Sequence, residues 1–199
     1  DKCPPFFRAQ PRDEVFHRRS PCCLGAHHQV VTLAVEAFSR IGQQRLELAP
    51  VSLEPVIKSI LSRLEQDIQE KGGRVDVSGP WPRVLAHQPV LEQVLTNLVS
   101  NGLKFARPGT PPVVTLRAEE TQDFIRLWVE DNGIGIRPEH QDQIFRLFNR
   151  LHGDKYPGTG VGLAIVQKGI ARMGGNVGLE STPGQGSRFW IDLRKVPAH

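Results

Sequence analysis

From Val30 onward, apolar residues recur at two distinct periods. Val30, Ala34, Ala37 and Ile41 step by four, three and four, the spacing of a helix that packs along one stripe. Gly42 weakens that helix near its end, and Pro50 and Pro55 punctuate the link that follows. Leu53, Val56, Ile57, Ile60, Leu61, Leu64 and Ile68 form one apolar stripe and predict a second helix, stopped by Gly72-Gly73. Residues 74–78 alternate like a strand, and Pro80 and Pro82 break the chain again. Val90, Leu91, Val94, Leu95 and Leu98 predict a third helix, ended by Pro108-Gly109. Two strands are expected over Val113–Glu119 and Phe124–Asp131, joined by the polar turn Glu120–Asp123. A glycine-rich region from Asn132 to Gly160 precedes a helix over Val161–Met173, which Gly174-Gly175 closes. Val177–Glu180 and Arg188–Leu193 form a final hairpin around Pro183-Gly184. Helices grouped beside antiparallel strands predict an α+β two-layer sandwich.

Residues 1–29 do not share these periods. They mix Pro, Arg, His and Cys, and are expected to be disordered or foreign to the domain. The 199 residues suffice for one compact domain plus an extra element. The net charge of +4 is mild and scattered, with no Lys/Arg run longer than a pair such as Arg18-Arg19. That argues against a nucleic-acid partner, which needs a basic patch or stripe. Cys3, Cys22 and Cys23 show no metal-ligand spacing and fit a reducing cytoplasm. No apolar run approaches membrane-spanning length and no signal peptide is visible, so a cytoplasmic location is expected, in a parent either soluble or membrane-anchored.

The apolar face of the third helix is interrupted by Gln93, Asn97, Asn101 and Lys104, at steps of four, four and three on one side. A solvent-facing stripe explains such a pattern. So does a site for Mg²⁺ and phosphate, since Mg²⁺ takes hard oxygen ligands and keeps several waters. On the strand over Phe124–Asp131, Ile125, Leu127 and Val129 share a face that Asp131 continues. A carboxylate there is costly without a donor partner. A strand-end cap is one explanation, and a ligand amino group is the other. The run Asp131-Asn132-Gly133-Ile134-Gly135-Ile136 favours the ligand, because two glycines let backbone approach a flat molecule. Gly158-Thr159-Gly160-Val161-Gly162-Leu163 then opens a helix, where successive amides make an anion site. It is not a Walker loop, because no Lys-Ser/Thr follows.

In order, Asn97 to Phe105, Asp131 to Ile136, Ile144-Phe145-Arg146-Leu147-Phe148 and Gly158 to Val166 resemble the N box, first glycine box, F box and second glycine box of bacterial sensor histidine kinases. The resemblance covers roughly residues 30–195. The stretch Phe148–Gly162, with Arg150-Leu151-His152 and Tyr156-Pro157-Gly158, is most similar to kinases attached to phytochrome-type and PAS-type sensors. Pro183-Gly184-Gln185-Gly186-Ser187 resembles the closing glycine turn of that family.

The resemblance implies a Bergerat-type (GHKL) sandwich, preceded by the remnant of a dimerisation helix. Residues 1–29 are then unassigned, 30–49 are the remnant of the second dimerisation helix, and 50–195 are the catalytic ATP-binding domain. It implies ATP and Mg²⁺ as cofactors. Asp131 would bond the adenine amino group, Asn101 would ligate Mg²⁺, Asn97 would help position the metal or its water, and Lys104 would face the phosphates. Gly133, Gly135 and Ile136 would shape the adenine wall. Gly158, Thr159, Gly160, Val161, Gly162 and Leu163 would frame the phosphate-side lid, with Ser187 from the closing turn. Phe145 and Phe148 would anchor the lid by packing, and Arg146, Arg150 and Lys155 are candidate phosphate contacts. Gly102 replaces the family's usual alanine. Little effect on chemistry is expected from it, beyond a helix-propensity cost of about 1 kcal/mol.

The family's phosphoacceptor motif, similar to His-Glu-x-Arg-Thr-Pro, has no recognisable match. His17-Arg18-Arg19-Ser20-Pro21 lacks the acidic neighbour, and His27 and His28 lack the flanking pattern. Residues 1–29 are therefore expected to replace the natural upstream sequence. Two functions stand: an ATP-dependent histidine kinase module, or a nucleotide-binding regulatory module without kinase activity. The implied partners are a histidine-bearing dimerisation domain, a response-regulator receiver domain and, in the full-length parent, a second copy. A structural domain with a dead pocket is disfavoured by the intact Asn101, Asp131 and glycine boxes.

Overall fold

A computed structural model describes residues 21–43, 45–150, 156 and 158–197. The elements in chain order are α1 (Pro21–Gln43), β1 (Ala49–Ser52), α2 (Leu53–Glu70), β2 (Arg74–Ser78), β3 (Arg83–Ala86), α3 (Gln88–Lys104), β4 (Val113–Glu120), β5 (Phe124–Asp131), α4 (Pro138–Gln141), α5 (Gly162–Arg172), β6 (Val177–Thr182) and β7 (Gly186–Lys195). Strands align in the order β1-β3-β7-β5-β4-β2, with β6 also paired to β7. All neighbours are antiparallel except β2 and β4, which run parallel. β7 is the organiser, because one of its edges takes all of β5 while the other takes β6 and then β3.

The two faces of the sheet follow the pleat. On one, Val114 and Leu116 of β4, Ile125, Leu127 and Val129 of β5, and Phe189, Ile191 and Leu193 of β7 are buried against the helices. α3 supplies Val90, Leu91, Val94, Leu95 and Leu98 to that core, and α2 supplies Leu53, Val56, Ile57 and Ile60. α5 comes close to α3 at Gly169, where a Cβ would sit 3.0 Å from methyls of both Val90 and Val94. The result is the expected α+β two-layer sandwich.

The opposite face is held by charge and aromatic stacking. Arg117 and Arg188 each lie 4.7 Å from the Trp128 ring centre, and Arg126 lies 4.0 Å from that of Trp190. Arg126 forks onto Asp192 through bonds of 2.7 and 3.0 Å, and Asp192 is buried. Trp128 and Trp190 are register partners across β5 and β7.

Four elements depart from the sequence expectation, one of them the short α4 inside the stretch read only as glycine-rich. α1 starts at Pro21, so residues 21–29 are helical where no period was found; Pro is favoured in the first helical turn, where its missing N–H costs nothing. The same helix stops at Gln43, and by Ala49 the chain is a strand, so the helical remnant does not run through 49. The short strands β1 and β3, which pair with each other, were not foreseen at all. Residues 1–20, with Cys3 and His17, lie outside the described residues. α1 rests on α5, where Lys168 Nζ sits 3.8 Å from the Phe38 ring centre and Arg172 donates to the Gly42 carbonyl at 2.7 Å. Replacing Asp192 with Ala leaves the Arg126 guanidinium beneath the Trp190 ring without its anion. A loss on the order of 2 kcal/mol in unfolding free energy is expected in chemical denaturation.

Candidate functional site

A cleft of about 340 Å³ opens between α3, the end of β5 and the segment leading into α5. α3 presents Asn97, Asn101 and Lys104 to it, together with Ser100 and, just past its end, Phe105. Gln93, one turn earlier, is exposed and does not line the cleft. The three polar side chains therefore occupy the last two turns of α3 only.

Asp131 ends β5 on the face of its buried apolar residues. Oδ1 accepts the Gly133 N–H at 2.8 Å and the Ser187 N–H at 3.2 Å. Oδ2 accepts no bond among the described residues. Burial pushes the carboxyl up to about 6, against the two backbone donors that favour the anion. A carboxylate with one oxygen fixed and one free is set up to receive a donor from the cleft.

The first glycine run is fastened at several points. Ile134 N–H donates to the Phe105 carbonyl at 3.0 Å, and the Ile134 carbonyl accepts from Gly184 at 2.8 Å. Gly135 has φ 68° and packs on the Thr182 carbonyl, a conformation and a gap that only glycine meets. Ile136 N–H donates to Ser181 Oγ at 2.8 Å. Arg107 bonds the carbonyls of Asn132 and Gly184 at 2.9 and 3.2 Å, tying this loop to the turn between β6 and β7.

The opposite wall comes from the second glycine run. Gly158, Thr159, Gly160, Gly162 and Leu163 line the cleft, so the first turn of α5, which begins at Gly162, borders it. Lys104 lies against this wall: a Cβ on Gly158 would come 2.6 Å from its Nζ. Burial lowers the Lys104 pKa, as do the nearby charges of Arg150 and Lys71. Among the described residues no carboxylate pairs with it. Asn97 Nδ2 is buried without a partner. Lys104 Nζ lies 4.3 Å from the Phe105 ring centre, and an ammonium without a carboxylate at the cleft wall fits an anionic ligand, while the oxygen of Asn101 is the hard donor that Mg²⁺ uses alongside phosphate and water.

Not every sequence-chosen residue lines the cleft. Gly133 sits under Asp131, Phe145 packs edge-on against Phe189 at 6.5 Å, and Val161 is wholly buried in the core. Phe148 does not anchor by packing. Its side chain is 58% exposed, its φ is 61°, and what holds it is its N–H on the Gly160 carbonyl at 2.9 Å. Gly160 permits this with φ 70°, because a Cβ would meet the Phe148 backbone at 2.9 Å. Arg150 and Ile136 line the cleft; Arg146 is exposed and does not. Leu151, His152, Lys155 and Pro157 lie outside the described residues. Sequence reasoning missed Ser100, Asn149 and Phe189 as lining residues. Phe189 arrives through its register with Val129, which no local pattern reveals. Tyr156 also lines the cleft, its ring 5.2 Å from that of Phe105 and its hydroxyl 3.4 Å from the Ala106 carbonyl. No helix among the described residues is long and apolar enough to cross a membrane.

A family model described as histidine kinase-, DNA gyrase B-, and HSP90-like ATPase matches residues 86–197, more than half of the chain. The chain is 39% identical over 157 residues to phytochrome-like protein Cph1 of Synechocystis sp., covering 78% of this chain and 21% of that protein. It is 36% identical over 167 residues to sensor protein GacS of Pseudomonas syringae pv. syringae, covering 79% and 18%. It spans about a fifth of the length of these relatives. The crystal structure of full-length ShkA in complex with AMPPNP aligns with a TM-score of 0.74 at 31% identity, covering 94% of this chain and 41% of that one. With Asp131, the two glycine runs and the α3 amides gathered around one cleft, the chain belongs to the histidine kinase-, DNA gyrase B- and HSP90-like ATPase family, as an ATP-binding domain of the histidine-kinase type.

Proposed function

We propose that the cleft binds ATP with Mg²⁺ and donates the γ-phosphoryl group to a histidine on a dimerisation domain, for relay to a response-regulator receiver. The observation that carries this is Asp131, half held by Gly133 and Ser187 and half free, lining one cleft together with Asn101, Lys104 and the start of α5. Asp131 Oδ2 receives the adenine amino N–H. Gly133 and Gly135 keep side chains away from the ring, and Ile136 lies along it. Lys104 and the amides of Gly160 to Leu163 hold the phosphates, with Thr159 and Arg150 at their edge. Asn101 ligates the metal and Asn97 positions it or its water. Mg²⁺, when bound, neutralises charge on the phosphates. Phosphoryl transfer needs positioning and charge stabilisation more than covalent help from the protein. The bond from the γ-phosphorus to its bridging oxygen breaks, a bond to the imidazole nitrogen forms, and ADP leaves. The AMPPNP held by ShkA supports this reading, since that ligand is an ATP analogue.

α1 would serve as the second helix of the dimerisation domain. It rests on α5 and leaves Leu33 and Val35 exposed for a further helix or a second copy. A cytoplasmic setting follows from the use of ATP and a receiver domain. A regulatory module that holds nucleotide without transfer is the second reading.

Asp131→Asn is expected to weaken ATP binding about a hundredfold or more by calorimetry, because an amide cannot match the carboxylate. Unchanged affinity would refute the role. For pH, the folded carboxyl at about 6 lies above its ordinary 3.8. The empty domain therefore gains stability from Asp131 below pH 3.8 and loses it as pH rises through about 6. ATP affinity runs the other way, since the anion is the acceptor. It should fall roughly tenfold per pH unit below 6 and flatten above it, and the Asp131→Asn variant should lack this profile. Incubated alone with labelled ATP, the chain should show negligible self-labelling. With a separate histidine-bearing dimerisation domain it should place acid-labile label on that domain, and nucleotide binding without any transfer would establish the regulatory reading instead.

A further inference from the structure

Gly102 lies one residue beyond Asn101 and is buried where α3 crosses the sheet. A Cβ at this position would stand 2.7 Å from Val114 Cγ2, 3.6 Å from Val114 Cγ1 and 3.3 Å from Asp131 Cβ. Val114 and Asp131 are register partners on β4 and β5, so one glycine sits over both. Val114 is fully buried, and its branched side chain has little rotamer freedom with which to yield. Asp131 is boxed on its other sides as well. Ser187, its register partner on β7, and Gly133 both donate to Oδ1. Apart from the open cleft side, the carboxylate can shift only by moving one of these walls.

We propose that Gly102 and Val114 form a matched pair that sets where Asp131 stands, and so determine how sharply the cleft selects a 6-amino purine over a 6-oxo purine. This rests on the reading of Asp131 as the purine acceptor. Alanine is usual at this position in the family and little effect was expected from sequence, but here Val114 occupies the space of that methyl, so a methyl added at Gly102 has two ways out. It pushes Val114, which carries β4 and the neighbouring Asp131 with it, or it lifts α3 from the sheet and widens the gap between Asn101 and Asp131. Either way the free oxygen leaves the place where it meets the amino group. A hydrogen-bonding site tuned to one donor loses discrimination when its acceptor is displaced. The valine then becomes the compensating position. Trimming it to alanine empties the volume that the new methyl needs.

The test uses the full chain and measures binding of ATP and of inosine triphosphate, each with Mg²⁺, by calorimetry. The wild type is expected to prefer ATP. Gly102→Ala should lower ATP affinity about tenfold and inosine triphosphate affinity less than about threefold, compressing the ratio. The double variant Gly102→Ala/Val114→Ala should return the ratio to within about threefold of the wild type. Val114→Ile, which adds a methyl from the sheet side, should compress the ratio even if Gly102→Ala does not fold. A helix change without consequence for Asp131 would move stability and leave the ratio alone. An unchanged ratio in both Gly102→Ala and Val114→Ile overturns the proposal, as does failure of the double variant to restore it. If the wild type itself binds the two nucleotides equally and Asp131→Asn changes neither, the purine role of Asp131 has failed and the proposal fails with it.

Discussion

The two N–H donors on Asp131 Oδ1 tie the end of one strand to the loop that follows it and to a strand 56 residues further along the chain. Gly133 belongs to the first glycine run, Ser187 to the start of β7, and Asp131 to the end of β5. Burying a carboxylate at the end of an apolar strand is unfavourable, and these two bonds offset part of that cost without removing it. The remainder keeps the group poised near neutrality, with one oxygen open to the cleft. Much of the surrounding structure keeps those donors in place. Arg107 ties the loop to the β6–β7 turn, Ser181 shares hydrogen bonds with Ile136 and Ser187, and Gly135 lets the loop lie flat on Thr182.

Most of the long elements were legible in the sequence because their apolar periods are uninterrupted. The stripe of α2, the core face of α3 and the alternation in β5 each match the buried positions found. The strands β1 and β3 were hidden because each has four residues, too few to show a period, and Pro50 sits inside the first. The start of α1 was hidden because residues 21–29 lack an apolar repeat, so no stripe announced it.

The candidate site divides in the same way. Asn97, Asn101, Lys104 and Asp131 stand on regular elements, where periodicity gives the direction of a side chain. Gln93 obeys the same spacing and yet faces solvent, since the cleft covers only the last turns of α3. Phe148 was given a packing role by resemblance to the family's F box, whereas a left-handed backbone turns it outward. Phe189 and the Gly102–Val114 contact depend on strand register and helix height, which are properties of the assembled layers. A glycine that looks like a weak helix former along the chain is, in three dimensions, the space that a neighbouring valine fills.

The Arg–Trp face of the sheet has an optical consequence. The chain has three tryptophans and one tyrosine. Trp128 and Trp190 lie under arginines on the far side of the sheet, and Trp81 does not border the cleft either. Tyr156 does, its ring tilted against that of Phe105. The indole emission of this domain thus reports on the integrity of the sheet, while the single phenol is the one that borders the cleft. Light absorbed by Tyr156 and passed to the indoles would carry information from one layer of the sandwich to the other.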